Sequence, residues 1–209
     1  MLEIVDSIAA LEALRSNFKL DAIKPNKAQR LYTGFNTVAR HQLSIRRLNG
    51  LAQSRQLECV LKPSAVAIVP LDVARNAVVI IEQFRIGSFV NNRLESFQLE
   101  IPAGLIDPGE TPLEAAHREL LEETGLSTRS LTPALEFYSS PGFSSEKVYG
   151  FLAEVDTAKL TRHAGIDDED IQCYAVSLKL LTTLLQQNKI QNGISLTLLE
   201  WLMLHLLNK

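Results

Sequence analysis

Dense apolar runs in the middle of the chain have the length of buried β-strands. They read SAVAIVPLD at residues 64–72, AVVIIEQFRIG at 77–87 and FQLEIPAGLI at 97–106. Continuous apolar runs of this kind are typical of strands that are covered on both faces. Shorter runs with the same character follow at 135–140, 148–155 and 171–178. The sequence therefore predicts a central sheet built from these segments.

Helical patterns lie between and after the predicted strands. One covers the Glu-rich stretch near residue 117, and two more close the chain at about 177–188 and 194–207. Strands with helices between and after them indicate an α/β layered domain, which we expect to occupy residues 58–209.

The first 57 residues follow a different pattern. Apolar residues recur at helical spacing before Pro25, and the segment RLYTGFNTVARHQLSIRRL at 30–48 is extended in character. Asn49-Gly50 between two such runs predicts a β-hairpin. Because an isolated ribbon of two or three strands is marginal in water, residues 1–57 are expected to pack against something else, such as another subunit.

The Glu-rich helix carries clear signals at both ends. Thr111 is the expected N-cap with Glu114 as its capping-box partner, Pro112 occupies the first turn, and Gly125 supplies the stop. At about 100° per residue, one stripe of the helix is apolar and the neighbouring stripe is acidic. The apolar stripe consists of Leu113, Ala116 and Leu120, and the acidic one of Glu119, Glu122 and Glu123.

Three glutamates on one helix face have two explanations. Such a stripe is often only a solvated surface, even though like charges at these spacings repel by roughly 0.2–0.5 kcal/mol per pair. Clustered carboxylates beside a turn-rich loop with exposed backbone carbonyls are also the hard oxygen ligands that suit Mg²⁺ or Mn²⁺.

Bulk properties narrow the functional classes. A net charge of −3 with 22% charged residues leaves no basic surface for nucleic acid or an anionic membrane. Cys59 and Cys173 lie far apart without metal-like spacing, which favours a reducing cytoplasm. The acidic residues Glu3, Asp6 and Glu12 interrupt any signal-like core at the start, and no apolar run reaches about 18 residues.

The whole segment around the glutamates resembles the Nudix box of the Nudix hydrolases. It reads Gly104, five others, Glu110, seven others, Arg118-Glu119-Leu120, one other, Glu122-Glu123, one other, Gly125-Leu126. Every fixed position of the motif is matched. The resemblance implies an α/β/α Nudix sandwich with a mixed sheet, and hydrolysis of a nucleoside diphosphate linked to another group.

The resemblance also implies roles for single residues. Glu119 and Glu123 are the expected ligands of Mg²⁺, with the carbonyl of Ala103 as another and Glu122 as a further ligand or a supporting carboxylate. Arg118 is expected to hold a carboxylate in place by a charge-assisted hydrogen bond. Mn²⁺ is a possible substitute metal.

Features beyond the box are similar to bacterial ADP-ribose and ADP-sugar pyrophosphatases. Pro141 lies sixteen residues after Gly125, and further matching segments occur in the order of that subfamily: YTGF at 32–35, EQFRIG at 82–87, PAGLID at 102–107, SPGFSSE at 140–146 and DEDI at 168–171. The resemblance implies a homodimer in which N-terminal strands are exchanged and help to build the partner's adenine pocket. A GDP-sugar or another dinucleotide as substrate, and a non-catalytic nucleotide-sensing module, are the alternatives.

The expected substrate contacts come from the same matching. They are Phe35, Glu58, Arg85, Leu105, Ser140, Pro141, Gly142 and Glu146. Phe35 would stack on the adenine, and its alternative role is in an interface core. Arg85 follows an apolar strand, and its alternative is an ordinary surface residue.

The loop RHAGIDDEDIQ at residues 162–172 supplies the expected general base. Matching places Glu169 as a metal ligand and Asp167 where the subfamily often has a glutamate as base. Aspartate is one methylene shorter, so Asp168 and Glu169 remain alternatives for the base. The expected catalytic set is Asp167 with Glu122 and Arg118.

Overall fold

A computed structural model describes residues 4–14, 23–47, 49–166 and 169–207. The chain divides into two units, one up to residue 62 and one from residue 63 onward. The first contains helix α1 (Ile8–Leu14) and strands β1 (Ile23–Thr33), β2 (Thr37–Arg46) and β3 (Ala52–Leu61). The three strands form an antiparallel sheet in the order β1-β2-β3.

The hairpin predicted at Asn49-Gly50 is confirmed, because Arg46 of β2 pairs with Ala52 of β3 and Gly50 has a φ of +82°. The segment at residues 30–48, predicted to be extended, differs from the prediction in two ways. A turn at residues 34–36 divides it, and β1 begins earlier and includes Pro25. Proline is tolerated there because β1 is an edge strand. Residues 58–61, expected in the second domain, pair with β2 in the first unit.

The second unit is a mixed eight-stranded sheet with helices. The strands are β4 (Ala65–Asp72), β5 (Ala77–Phe84), β6 (Phe97–Glu100), β7 (Ala103–Leu105), β8 (Leu131–Tyr138), β9 (Lys147–Glu154), β10 (His163–Ala164) and β11 (Ile171–Ser177). The helices are α2 (Ile86–Asn91), α3 (Pro112–Thr124), α4 (Leu178–Gln186) and α5 (Gly193–Leu207). The order is β10-β11-β5-β4-β9-β8, with β6 beside β5 and β7 beside β4.

Strand β4 lies inside the sheet and contacts the helices on both of its faces. It pairs in parallel with β9 and antiparallel with β5 and β7, and all of its residues are buried. Its alternate residues face opposite sides: Val66 and Ile68 pack with α3, whereas Ala67 and Val69 pack with α4 and α5. The predicted α/β layering with a mixed sheet is therefore present, with helices on both faces.

The apolar run at 97–106 forms two strands instead of the single predicted one. The break falls at Ile101-Pro102, where proline cannot donate a ladder hydrogen bond. The carbonyl of Pro102 instead accepts a hydrogen bond from the Ile68 N–H at 2.8 Å. As a result β6 pairs with β5 and β7 pairs with β4, which brings the start of the box beside the central strand.

The apolar stripe predicted on α3 is partly wrong. Ala116 and Leu120 are buried as expected, but Leu113 is 47% exposed and Ala115 is buried instead. The face turned to the sheet runs through Ala115, Ala116 and Leu120, so Leu113 lies at its edge. No helix within the described ranges is long and apolar enough to cross a membrane.

Candidate active site

Helix α3 is specified at both ends as the sequence predicts. Thr111 Oγ1 accepts a hydrogen bond from the Glu114 N–H at 3.3 Å, and the Glu114 carboxylate accepts from the Thr111 N–H at 2.8 Å. An N-cap of this kind stabilises a helix by about 1 kcal/mol. Gly125 ends the helix with a φ of 70° and donates its N–H to the Leu121 carbonyl. These local signals fix where the helix begins and ends.

Arg118 is the central cation of the site. Its Nε and Nη2 form a fork with the Glu110 carboxylate, each at 2.9 Å, and Nη2 also donates to the Leu105 carbonyl. Its Nη1 donates to Glu119 at 2.7 Å and to Glu122 at 3.1 Å. The expected role of Arg118 in holding carboxylates agrees with these contacts. One guanidinium thus faces three carboxylates, which leaves an excess of negative charge.

Glu119 is buried between Arg118 and the first glycine of the box. A Cβ at Gly104 would lie 1.9 Å from Glu119 Oε1, so only glycine leaves room for the carboxylate in this position. Burial raises the pKa of Glu119, and the charges of Glu122 and Glu169 act in the same direction, although Arg118 opposes them. The carboxylate is therefore held in place but is incompletely neutralised.

Glu123 lies one turn further along and is 2% exposed. Its Oε2 accepts a hydrogen bond from the Ala103 N–H at 2.8 Å. Burial raises the pKa of Glu123 to about 8, and the nearby charges of Glu119 and Glu169 add to the effect while Arg85 opposes it. A buried carboxylate with a single backbone donor is costly unless a cation compensates it.

The donor set fits a hard divalent cation, although the side chains do not converge on one point. Within the described ranges, no group of three His, Cys, Asp or Glu side chains is arranged to hold a metal ion. Arg118 donates to one oxygen of Glu119 and to one oxygen of Glu122. The residues that could hold a metal are nevertheless all oxygen donors, and two of them are buried carboxylates.

The loop that follows β10 is tied to α3. Gly165, with a φ of +99°, donates its N–H to the Glu122 carbonyl at 3.1 Å. A Cβ at Gly165 would lie 2.6 Å from the Glu169 carbonyl oxygen, so the turn requires glycine. Glu169 is exposed, and its charge acts on Glu119 and Glu123. Asp167 and Asp168 lie outside the described residues, so the choice of base stays a prediction.

Arg85 lies beside these carboxylates and pairs with a residue that the sequence analysis did not single out. Its guanidinium donates to Glu100 through Nε, at 3.0 and 3.1 Å, and through Nη2 at 2.7 Å. Glu100 is 1% exposed. The sequence does contain a signal for this pair: Glu100 is a charged residue inside the apolar run FQLEIPAGLI, and a buried charge requires a partner.

Leu105 ends β7, where its carbonyl accepts from Arg118, and the other expected substrate residues lie in two further places. Ser140, Pro141, Gly142 and Glu146 belong to the loop before β9, at the end of the sheet where β7 also ends. The Ser140 carbonyl accepts the N–H groups of Phe143 and Ser144, which closes a turn and leaves Pro141 and Gly142 exposed. Their contacts with a substrate stay predictions.

Phe35 and Glu58 belong to the first unit. Phe35, in the turn between β1 and β2, is 93% exposed, so its ring is free to stack on a base or to enter an interface. Glu58 pairs with Arg40 on the neighbouring strand at 2.7 Å. The two cysteines are free thiols, with Cys173 donating to the Glu123 carbonyl.

Similarity to known proteins agrees with this site. The model of the NUDIX domain matches residues 61–197. ADP-ribose pyrophosphatase of Escherichia coli (strain K12) is 34% identical over 178 residues, covering 84% of this chain and 85% of the relative. ADP-ribose pyrophosphatase of Haemophilus influenzae is 33% identical over 183 residues, covering 85% and 84%. GDP-mannose pyrophosphatase of Enterobacter sp. (strain 638) is 31% identical, covering 75% and 82%.

A solved structure shares the fold. The crystal structure of an ADP compounds hydrolase has a TM-score of 0.70 and 24% sequence identity, and the match covers 91% of this chain and 97% of that one. The family match extends over more than half of the chain and includes the complete box around Glu119 and Glu123. The prediction made from the box is confirmed, and the chain belongs to the Nudix family of hydrolases.

Proposed function

We propose that this enzyme hydrolyses the pyrophosphate bond of ADP-ribose, and of related ADP-sugars, in a Mg²⁺-dependent reaction. The products are AMP and a sugar phosphate, which is ribose 5-phosphate for ADP-ribose. The observation that carries the proposal is the pair of buried box carboxylates, Glu119 and Glu123, whose ionised forms are costly in the protein unless a cation compensates them. The relatives named ADP-ribose pyrophosphatase support this choice of substrate.

Glu119 and Glu123 would hold the metal, with the Ala103 carbonyl, Glu122 and Glu169 as further ligands. A bound divalent cation neutralises the diphosphate and lowers the pKa of the attacking water. Arg118 acts indirectly, because its five N–H groups are all engaged with Glu110, Glu119, Glu122 and Leu105. Mn²⁺ offers a similar preference for oxygen ligands and can replace Mg²⁺.

A GDP-sugar is the second candidate substrate, because the relatives include a GDP-mannose pyrophosphatase at 31% identity. Its hydrolysis would use the same chemistry but would require a different base pocket. The remaining alternative, a nucleotide-sensing module without catalysis, does not require the complete box that this chain retains.

A substrate panel separates these possibilities. With Mg²⁺ present, we expect kcat/KM for ADP-ribose to exceed that for GDP-mannose by at least about 100-fold, because a site that hydrogen-bonds one base leaves polar groups unpaired with the other. Steady-state kinetics with added alkaline phosphatase, which releases inorganic phosphate from the two monoester products but not from the intact diphosphate substrates, would measure both values. Preference for GDP-mannose would reject the proposed substrate, and no turnover of either compound would favour the sensing module.

The base is proposed to be Asp167. Asp167→Asn should lower kcat with little change in KM or in the Mg²⁺ concentration at half-maximal rate, because a base acts on the chemical step. Glu169→Gln should instead raise the Mg²⁺ requirement, and Asp167→Glu should be tolerated. Loss of kcat in Asp168→Asn combined with an unchanged Asp167→Asn enzyme would assign the base to Asp168.

The enzyme is also proposed to be a homodimer in which the first unit contributes to the partner's site. Its three-stranded sheet leaves Phe35 exposed, and a sheet of this size has little core of its own. Light scattering should therefore give twice the monomer mass, and removal of residues 1–62 should leave an inactive or insoluble remainder. If light scattering shows that the full chain is a monomer and this monomer hydrolyses ADP-ribose with an ordinary KM, the proposed dimer is wrong.

The free thiols Cys59 and Cys173 fit the reducing cytoplasm proposed as its location. Fractionation of the source cells would test the location directly.

A further inference from the structure

Arg85 is held by Glu100 in one fixed orientation. Three hydrogen bonds of 2.7–3.1 Å join Nε and Nη2 of the guanidinium to the two carboxylate oxygens. Glu100 is buried, while the Arg85 side chain is 40% exposed. A buried carboxylate therefore anchors one edge of a guanidinium whose other edge is accessible.

The outer edge of Arg85 is available to a ligand. Nη1 makes no hydrogen bond within the described part of the chain, so both of its N–H groups remain uncommitted, as does the second N–H of Nη2. Glu100, its partner, lies three residues before Ala103, whose N–H donates to Glu123 at 2.8 Å, and the charge of Arg85 acts on Glu123 and Glu169. The free edge of Arg85 therefore belongs to the part of the sheet that carries the candidate metal ligands.

A second unpaired donor lies at the end of β5, next to Arg85. Gln83 precedes Arg85 by two residues and is 6% exposed, and by strand alternation it shares a face with Val79, which packs with α3. Its Nε2 is buried without a hydrogen-bond partner among the residues described. Unpaired buried donors are rare in proteins, so this amide is available to an acceptor that none of the described residues supplies.

We propose that Glu100 is a positioning residue that orients Arg85, so that Nη1 of Arg85 donates to a phosphate oxygen of the diphosphate substrate. Phosphate oxygens are strong acceptors, and a guanidinium with one edge fixed presents its remaining N–H groups to them without further loss of rotamer freedom. This inference rests on the proposed function, since it names how the same site holds the diphosphate.

The test is a double-mutant cycle on KM and kcat for ADP-ribose. Glu100→Gln should raise KM about tenfold while kcat stays within about twofold, since a residue that supports a binding group typically contributes about that much. Arg85→Ala should raise KM at least as much. If Glu100 acts through Arg85, the double variant should bind no worse than Arg85→Ala. Equilibrium binding of the α,β-methylene analogue of ADP-ribose should weaken by the same factors.

Asp72 offers a matched control. It is a buried carboxylate paired with the half-exposed Arg75 at 2.8 Å, as Glu100 is with Arg85, but it lies at the opposite end of β4 and β5. Asp72→Asn should lower the melting temperature and leave KM unchanged at temperatures where the protein is folded. Glu100→Asp keeps the charge with a shorter reach and should give an intermediate KM, which provides a second variant if Glu100→Gln does not fold.

The outcomes distinguish a failure of the proposed function from a failure of the proposed role of Glu100. Wild-type protein that does not hydrolyse ADP-ribose overturns the proposed function. Wild-type turnover combined with an unchanged KM in Glu100→Gln, or with additive effects of the two substitutions, overturns the role of Glu100 alone.

Discussion

Glu123→Gln and Glu119→Gln are each expected to lower Mg²⁺-dependent turnover of ADP-ribose by at least about 100-fold. Loss of a residue that only supports a metal ligand lowers activity by up to about 100-fold, and loss of a ligand itself should cost at least as much. Each substitution removes a negative charge from the candidate metal site with almost no change in shape. The Ala103 N–H and Arg118 Nη1 still find an amide oxygen at these positions. The measurement is kcat/KM as a function of Mg²⁺ concentration.

The fold should survive the same substitutions. Because burial raises the pKa of Glu123 to about 8, a neutral side chain is no less favourable there in metal-free protein at neutral pH. Glu114→Gln on the same helix is the matched control, since glutamine also serves in a capping box and Glu114 lies in the first turn. Near-wild-type turnover at limiting Mg²⁺ in either box variant would show that the ligand assignment is wrong.

Arg118→Lys is expected to have the next largest effect. Lysine retains the charge but loses the planar fork, so it cannot hold Glu110, Glu119, Glu122 and the Leu105 carbonyl together. We expect turnover to fall about 10–100-fold and the Mg²⁺ requirement to rise, because the carboxylates lose their fixed positions. Titration of activity with Mg²⁺, together with thermal unfolding, would measure both effects.

Arg75→Lys is the control for this substitution. Arg75 also bridges two carboxylates, those of Asp72 and Asp156, but outside the candidate site. Its replacement should affect thermal stability and leave the Mg²⁺ requirement unchanged. An Arg118→Lys enzyme with unaltered Mg²⁺ dependence would mean that the hydrogen bonds of Arg118 are unrelated to metal binding.

Local signals made the central helix predictable. Thr111, Pro112, Glu114 and Gly125 act within one or two turns of the chain, so their roles follow from spacing alone. Most strands of the second unit were also predictable, because they are short apolar runs with breaks between them, but β10 lies in the segment that was expected to be a loop. The fixed spacing of the box indicates the family without any information on tertiary contacts.

Contacts between distant segments were not predictable. The pairing of Arg85 with Glu100 depends on the register of β5 and β6, which sequence spacing does not reveal. The exposure of Leu113 depends on how α3 lies on the sheet, and the division of the run 97–106 depends on the separate pairing of β6 and β7. Periodicity indicates which residues share a face, but the neighbouring elements decide which part of that face is covered.

The most direct test of the central claim is the identification of products from ADP-ribose. Wild-type enzyme with Mg²⁺ should yield AMP and ribose 5-phosphate in equal amounts, with no reaction in the presence of a chelator and recovery on addition of excess Mg²⁺. Unchanged product formation in the chelator, or cleavage that yields ADP and free ribose, would contradict a metal-dependent pyrophosphatase built on Glu119 and Glu123.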